Sequence, residues 1–129
     1  MVPDIVSSPN VSSKLLTVTP DGLEFNYAVV DVVLDVILKM YSPKCIILFG
    51  SVARHEATPD SDVDLLIVMD TDVPFHRRTV DLHYVLGGLM IPADVLIVTP
   101  QEFISEVDDP YSLFHQVVEE GVCIYGDCP

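Results

Sequence analysis

A chain of 129 residues that is half hydrophobic is long enough for one packed core and too apolar for intrinsic disorder. Twenty Asp and Glu against six Lys and Arg give a formal net charge of -14, which makes the chain a poor nonspecific binder of nucleic acid or anionic membrane, because like charge repels. It leaves two kinds of partner, a basic protein or an anionic substrate that arrives with a divalent cation, while most of the acids read as a solvated surface.

Residues 1–23 hold Pro3, Pro9 and Pro20 among several Ser and Thr. They predict an irregular arm with a short strand at 15–19, and they lack the basic start and apolar stretch of a secretory leader. One domain is expected over 24–129. It opens with a helix over 24–41, where Asp31, Asp35 and Lys39 recur every four residues as a single polar stripe. The remaining faces are apolar, which predicts cover nearly all round, by the core or in part by a second subunit. The stretch 28–40 is too short and too charged to span a bilayer.

Ser42-Pro43 ends this helix. Residues 44–49 read as a buried strand, Gly50-Ser51 as a turn into a short helix over 51–56, and 62–69 as a second strand. Pro74 suits the first turn of a helix reaching about residue 89, weakened at its end by Gly87 and Gly88. A third strand over 91–98 follows, then helices over 100–107 and 111–120, a stop at Gly121 and a short edge strand at 122–125. Strands alternating with helices predict an α/β or α+β fold, a sheet flanked by helices.

The chemistry concentrates between Phe49 and Val68. A glycine between strand and helix lets the backbone turn sharply and keeps side chains out of a ligand's way. The N–H groups beyond it, with the Ser51 hydroxyl, suit an anion, although Ser51 also reads as a plain N-cap. Ten residues separate Ser51 from Asp62, and one residue separates Asp62 from Asp64. Side chains at i and i+2 of a strand share a face, with Cα atoms roughly 6 to 7 Å apart, so both carboxylates reach one cation. Hard oxygen ligands on a small rigid element suit Mg2+. Asp94 opens the third strand; if that strand lies beside the second, three acids gather, the set that two-metal phosphoryl chemistry uses. On its own, Asp94 reads equally well as a strand-entry acid.

The other polar signals are quieter. Cys45, Cys123 and Cys128 are odd in number and lack metal-finger spacing, which predicts free thiols in a reducing cytoplasm. Cys45 and Cys123 are expected in the core and Cys128 in a frayed tail. His55, His76, His83 and His115 share no ligand spacing. Arg77 and Arg78 read as a solvated helix face, with Arg77 paired to Asp81.

The pattern Gly-Ser, ten residues, Asp-x-Asp resembles the DNA polymerase β-like nucleotidyltransferase superfamily, and the short length resembles its minimal nucleotidyltransferases, in particular the antitoxins of HEPN/MNT toxin–antitoxin pairs. Phe49-Gly50-Ser51, Ala53-Arg54, Ser61-Asp62, Asp64-Leu65 and Asp94 carry the resemblance, which covers about residues 25 to 125. It implies a mixed sheet with flanking helices and Mg2+-dependent transfer of AMP from ATP to a hydroxyl. Gly50 and Ser51 would contact the β- and γ-phosphates, Asp62, Asp64 and Asp94 would hold two metal ions with Asp94 assisting the acceptor, and Arg54 would touch phosphate, brace the loop or pair with a nearby acid. The implied acceptor is a tyrosine of a HEPN-type toxin. An antitoxin that acts by binding alone is the alternative of another class. A small-molecule nucleotidyltransferase is a further one, which a homodimer would favour by completing an acceptor pocket.

Overall fold

The structure, a computed structural model, describes residues 20–54, 56 and 62–129. In chain order these form α1 (Pro20–Met40), β1 (Cys45–Phe49), a one-turn helix α2 (Gly50–Ala53), β2 (Val63–Val68), a 3-10 turn (Phe75–Arg77), α3 (Val80–Gly88), β3 (Ala93–Val98), α4 (Pro100–Val107), α5 (Leu113–Glu120) and β4 (Val122–Gly126). The sheet runs β3-β2-β1-β4. β1 is antiparallel to both β2 and β4, while β2 and β3 are parallel, a pairing that needs the crossover supplied by α3. A sheet flanked by helices is what the residue pattern predicts, and its mixed pairing is what the family resemblance implies.

Alternation along the strands sorts their side chains into two cores. Ile46, Leu48, Leu65, Ile67, Val95 and Ile97 pack with Val33, Leu34 and Ile37 of α1 and with Leu82 and Leu86 of α3. Cys45, Ile47, Leu66, Val68 and Val98 meet Phe103 of α4 and Val117 of α5. Covering both faces explains why the strands read as nearly unbroken apolar runs. By the same alternation Asp64 and Asp94 share the α4/α5 face with Leu66 and Val98.

α1 begins at Pro20, so residues 20–23 belong to a helix and not to the expected arm; the rest of that arm, with its strand at 15–19, lies outside the described residues, as do His55 and 57–61. The Asp35–Lys39 pair forms at 2.9 Å. Cover of α1 is incomplete: Ala28, Val29 and Val32 line an open apolar groove with Leu89 and Ile91. Among the described residues no helix is long and apolar enough to cross a membrane.

The helix expected from Pro74 is broken, and Arg78 accounts for it. Its side chain is 8% exposed. It donates to the Val73 carbonyl at 2.8 Å, to the Ile97 carbonyl at 3.2 Å and to both carboxylate oxygens of Glu102 at 2.6 and 3.2 Å. Glu102 also closes the capping box of α4 with Thr99. Arg78 is thus a tie between the loop after β2 and the start of α4, not a solvated helix residue. Among the described residues Arg77 makes no ion pair with Asp81.

The end of α3 is also differently built. Ile91 N–H donates to the Leu86 carbonyl and Met90 N–H to the Gly87 carbonyl, at 2.9 and 3.0 Å. This is the Schellman pattern, and it places the left-handed residue, at φ +57°, on Met90. Gly87 and Gly88 stay helical.

The cysteine expectations are corrected. Cys45 is buried as predicted, but it is disulfide-bonded to Cys128 across 83 residues of sequence. Gly126 pairs with Cys45 in the sheet and turns the chain at φ +70°, which brings Cys128 back over β1. Cys123 is exposed and free, because it alternates with the inward-facing Val122 and Ile124.

Candidate active site

Two strand registers assemble the site. Antiparallel pairing sets Phe49 opposite Asp64, so the next residue, Gly50, arrives against the Asp64 side chain. Gly50 holds φ +75°, and a β-carbon there would fall on Asp64 Oδ2 and within 3.0 Å of its Cγ. Glycine alone tolerates both the left-handed backbone and the close approach. Parallel pairing of β2 with β3 then sets Asp64 opposite Asp94, on strands roughly 4.8 Å apart. Asp62 precedes β2 and is exposed, as is Asp94, whereas Asp64 is half-buried.

The acids feel one another. Burial first, then the charges of Asp94 and Asp62, push the Asp64 carboxyl above its ordinary value of 3.8, and the Arg54 charge offsets part of this. Among the described residues no three His, Cys, Asp or Glu side chains stand close enough to grip an ion as they are. The donor chemistry nonetheless fits Mg2+: hard carboxylate oxygens whose mutual repulsion a divalent cation would relieve.

The short helix after Gly50 covers Gly50–Ala53 only, against the expected 51–56, and its N-cap position falls on Phe49, which offers no side-chain cap. One turn carries little macrodipole, so any pull on an anion comes from the local N–H groups. Ser51 lies inside that turn and is not its N-cap. Instead it faces a cleft of about 300 Å³ whose floor includes Gly50, Arg54 and Asp64.

The opposite wall is α5, through Leu113, Gln116, Val117 and Glu120. Arg54 Nε donates to Glu56 at 2.7 Å and Nη1 to Glu120 at 3.3 Å, so of the roles open to Arg54 pairing with acids is the one observed. Glu56 first, and Glu120 after it, hold the guanidinium above its ordinary pKa. Gln116 donates in turn to the second oxygen of Glu120 at 3.4 Å. The four α5 residues recur at i, i+3, i+4 and i+7, one helix face. That spacing is readable in the sequence; its facing toward Gly50 is not.

His83 and His115 have partners away from the acids. His83 Nε2 accepts from the Val95 N–H at 3.3 Å along the outer edge of β3. His115 Nδ1 lies 2.9 Å from the Val107 carbonyl, and its Nε2 lies 3.1 Å from Glu119.

A model of the nucleotidyltransferase domain matches residues 30–121. A Methanocaldococcus jannaschii protein, provisionally named a protein adenylyltransferase, is 39% identical over 82 residues, covering 64% of this chain and 78% of that one. A solved toxin–antitoxin structure with AMP-PNP shares the fold at 19% identity and a TM-score of 0.50, over 74% of this chain and 71% of that one. A second, the tri-AMPylated HEPN toxin of Shewanella oneidensis with its MNT antitoxin, aligns over 75% and 69% at 15% identity and a TM-score of 0.48.

Proposed function

The chain belongs to the nucleotidyltransferase domain family, and on that premise we propose that it transfers AMP from ATP to a protein hydroxyl, a tyrosine on a HEPN-type toxin partner. The observation that carries this reading is the meeting of Gly50, Asp64 and Asp94 through two strand registers. A turn stripped of side chain lies on one side of the half-buried carboxylate and a second acid on the other. Triphosphate lies along the Gly50–Ser51 turn, and the acceptor comes from the side of β3, where Asp94 is exposed.

In the reaction the acceptor oxygen attacks the α-phosphorus. The bond from phosphorus to the bridging oxygen breaks, pyrophosphate leaves, and the hydroxyl proton passes to the Asp94 carboxylate. Gly50 and Ser51 orient the β- and γ-phosphates through backbone N–H groups and the Ser51 hydroxyl. Asp62, Asp64 and Asp94 would hold Mg2+, two ions in the full arrangement, which would supply charge neutralisation at the phosphates. Without it four negative charges on ATP would meet a protein of net charge -14.

A protein acceptor is favoured by the name of the 39% identical relative, and a basic partner by the acidic surface, since opposite charge raises association rates. The test is incubation of the purified chain, Mg2+ and ATP labelled in its α-phosphate with a candidate toxin. Label on a toxin tyrosine, lost when that tyrosine becomes phenylalanine, supports the reading. Toxin neutralised with no label transferred overturns it in favour of a binding antitoxin, and label carried only to small molecules overturns the protein acceptor.

A further inference from the structure

Among the described residues that line the cleft, Arg54 is the one cation, and it is already engaged. Its Nε is held by Glu56 and its Nη1 by Glu120. Glu120 lies on α5, 66 residues away in sequence, and is itself oriented by Gln116 one turn earlier. Gln116, Glu120, Arg54 and Glu56 thus form a hydrogen-bonded row beside Gly50 and Ser51. The nucleotidyltransferase motif contains only Arg54 of these four; nothing in it requires an acid on the facing helix.

We propose that Glu120, positioned by Gln116, is a counter-ion that occupies Arg54 before nucleotide binds and is exchanged for the triphosphate, so that α5 sets the affinity of the site for nucleotide. The inference rests on the reading of this cleft as the ATP site and goes beyond it by assigning a positioning residue on a helix outside the motif. The chemistry is direct. A guanidinium prefers bidentate oxygen partners, and phosphate and carboxylate compete for the same N–H fork. A triphosphate on the Gly50–Ser51 turn brings phosphate oxygens toward Arg54, and the carboxylate of Glu120 then faces like charge across the cleft. Release of Glu120 relieves that repulsion, and Glu120 gains a water shell because it is already partly exposed. A nucleoside or nucleoside monophosphate brings too little charge to compete, so the exchange favours the triphosphate. Glu56 keeps its hold on Nε and orients the guanidinium.

The experiment compares the 129-residue wild-type chain with Glu120→Gln, Arg54→Gln and the double variant. ATP and AMP binding is titrated with Mg2+ present, and steady-state AMP transfer is measured for the same proteins. Glutamine keeps the hydrogen-bonding shape and removes the charge. Expected is a fall in the ATP Kd and KM of Glu120→Gln by roughly two- to five-fold, the scale of a partly exposed ion pair, with kcat within two-fold and AMP binding less changed. In the Arg54→Gln background the same substitution has a smaller effect, because the counter-ion acts through Arg54. An ATP Kd that is unchanged or raised in Glu120→Gln, while wild type binds ATP, overturns the counter-ion role alone. An effect of equal size with and without Arg54 also overturns it. Absence of ATP binding in wild type and variants alike overturns the ATP reading of the cleft and the counter-ion with it.

Discussion

Gly50 lies against Asp64 with no room for a β-carbon between them, although fourteen positions separate them in sequence. The turn and the carboxylate are one steric unit, and neither adjusts without the other. Gly50→Ala forces a side chain into the left-handed region, at a cost of about 1 to 2 kcal/mol, and also drives the Asp64 carboxylate away. Thermal unfolding is expected to show the modest loss, while AMP transfer falls far more, by roughly a hundred-fold, as a displaced ligand group does. An alanine variant with wild-type transfer would detach the turn from the acid.

The Arg78–Glu102 tie predicts a specific acid sensitivity. Its hydrogen bonds from Arg78, foremost, and from the Thr99 backbone hold the Glu102 carboxyl below its ordinary value of 4.5. A carboxylate with a lowered folded pKa stabilises the fold fully above its unfolded value and loses that contribution as pH falls through the folded one. Wild type therefore sheds this stability below about pH 4.5. Glu102→Gln is expected to lose about 1 to 2 kcal/mol at neutral pH, where it breaks a charge-assisted bond to a buried guanidinium, and the gap to wild type closes in acid. Chemical denaturation at several pH values reads this difference; a gap that widens on acidification contradicts it.

Met90 occupies a left-handed helix-ending position that glycine fills at less cost. The residue is 89% exposed, so little packing is lost on removal of its side chain. Met90→Gly is expected to raise stability by about 0.5 to 1 kcal/mol, seen as a higher denaturation midpoint with AMP transfer unchanged. A lower midpoint would mean that the methionine has a contact outweighing its backbone strain.

The sheet and the acids were legible because they depend on short-range patterning. Buried runs such as Cys45–Phe49 mark strands covered on both faces, and the Gly-Ser, Asp-x-Asp spacing marks a turn facing a strand entry. What could not be read depends on tertiary partners. Arg78 looks like any helix-face arginine until Glu102 and the Ile97 carbonyl are brought to it. Cys128 looks like tail until the turn at Gly126 carries it to Cys45. Gln116 and Glu120 display the spacing of one helix face, yet only the packing of α5 against β1 turns that face toward Gly50. The one-turn α2 has the same lesson at shorter range: Ala53 is buried and the helix stops there, so the expected dipole is mostly absent.

Asp64 is the residue on which the two registers converge, and its replacement tests the account most directly. Asp64→Asn preserves size and removes the charge. Transfer of α-phosphate label from ATP to the proposed tyrosine acceptor is expected to fall at least roughly a hundred-fold, with circular dichroism and thermal unfolding unchanged or slightly improved, because burial and two neighbouring acids already disfavour the charge. Undiminished transfer by a folded Asp64→Asn protein would contradict the assignment of this cleft as the catalytic centre.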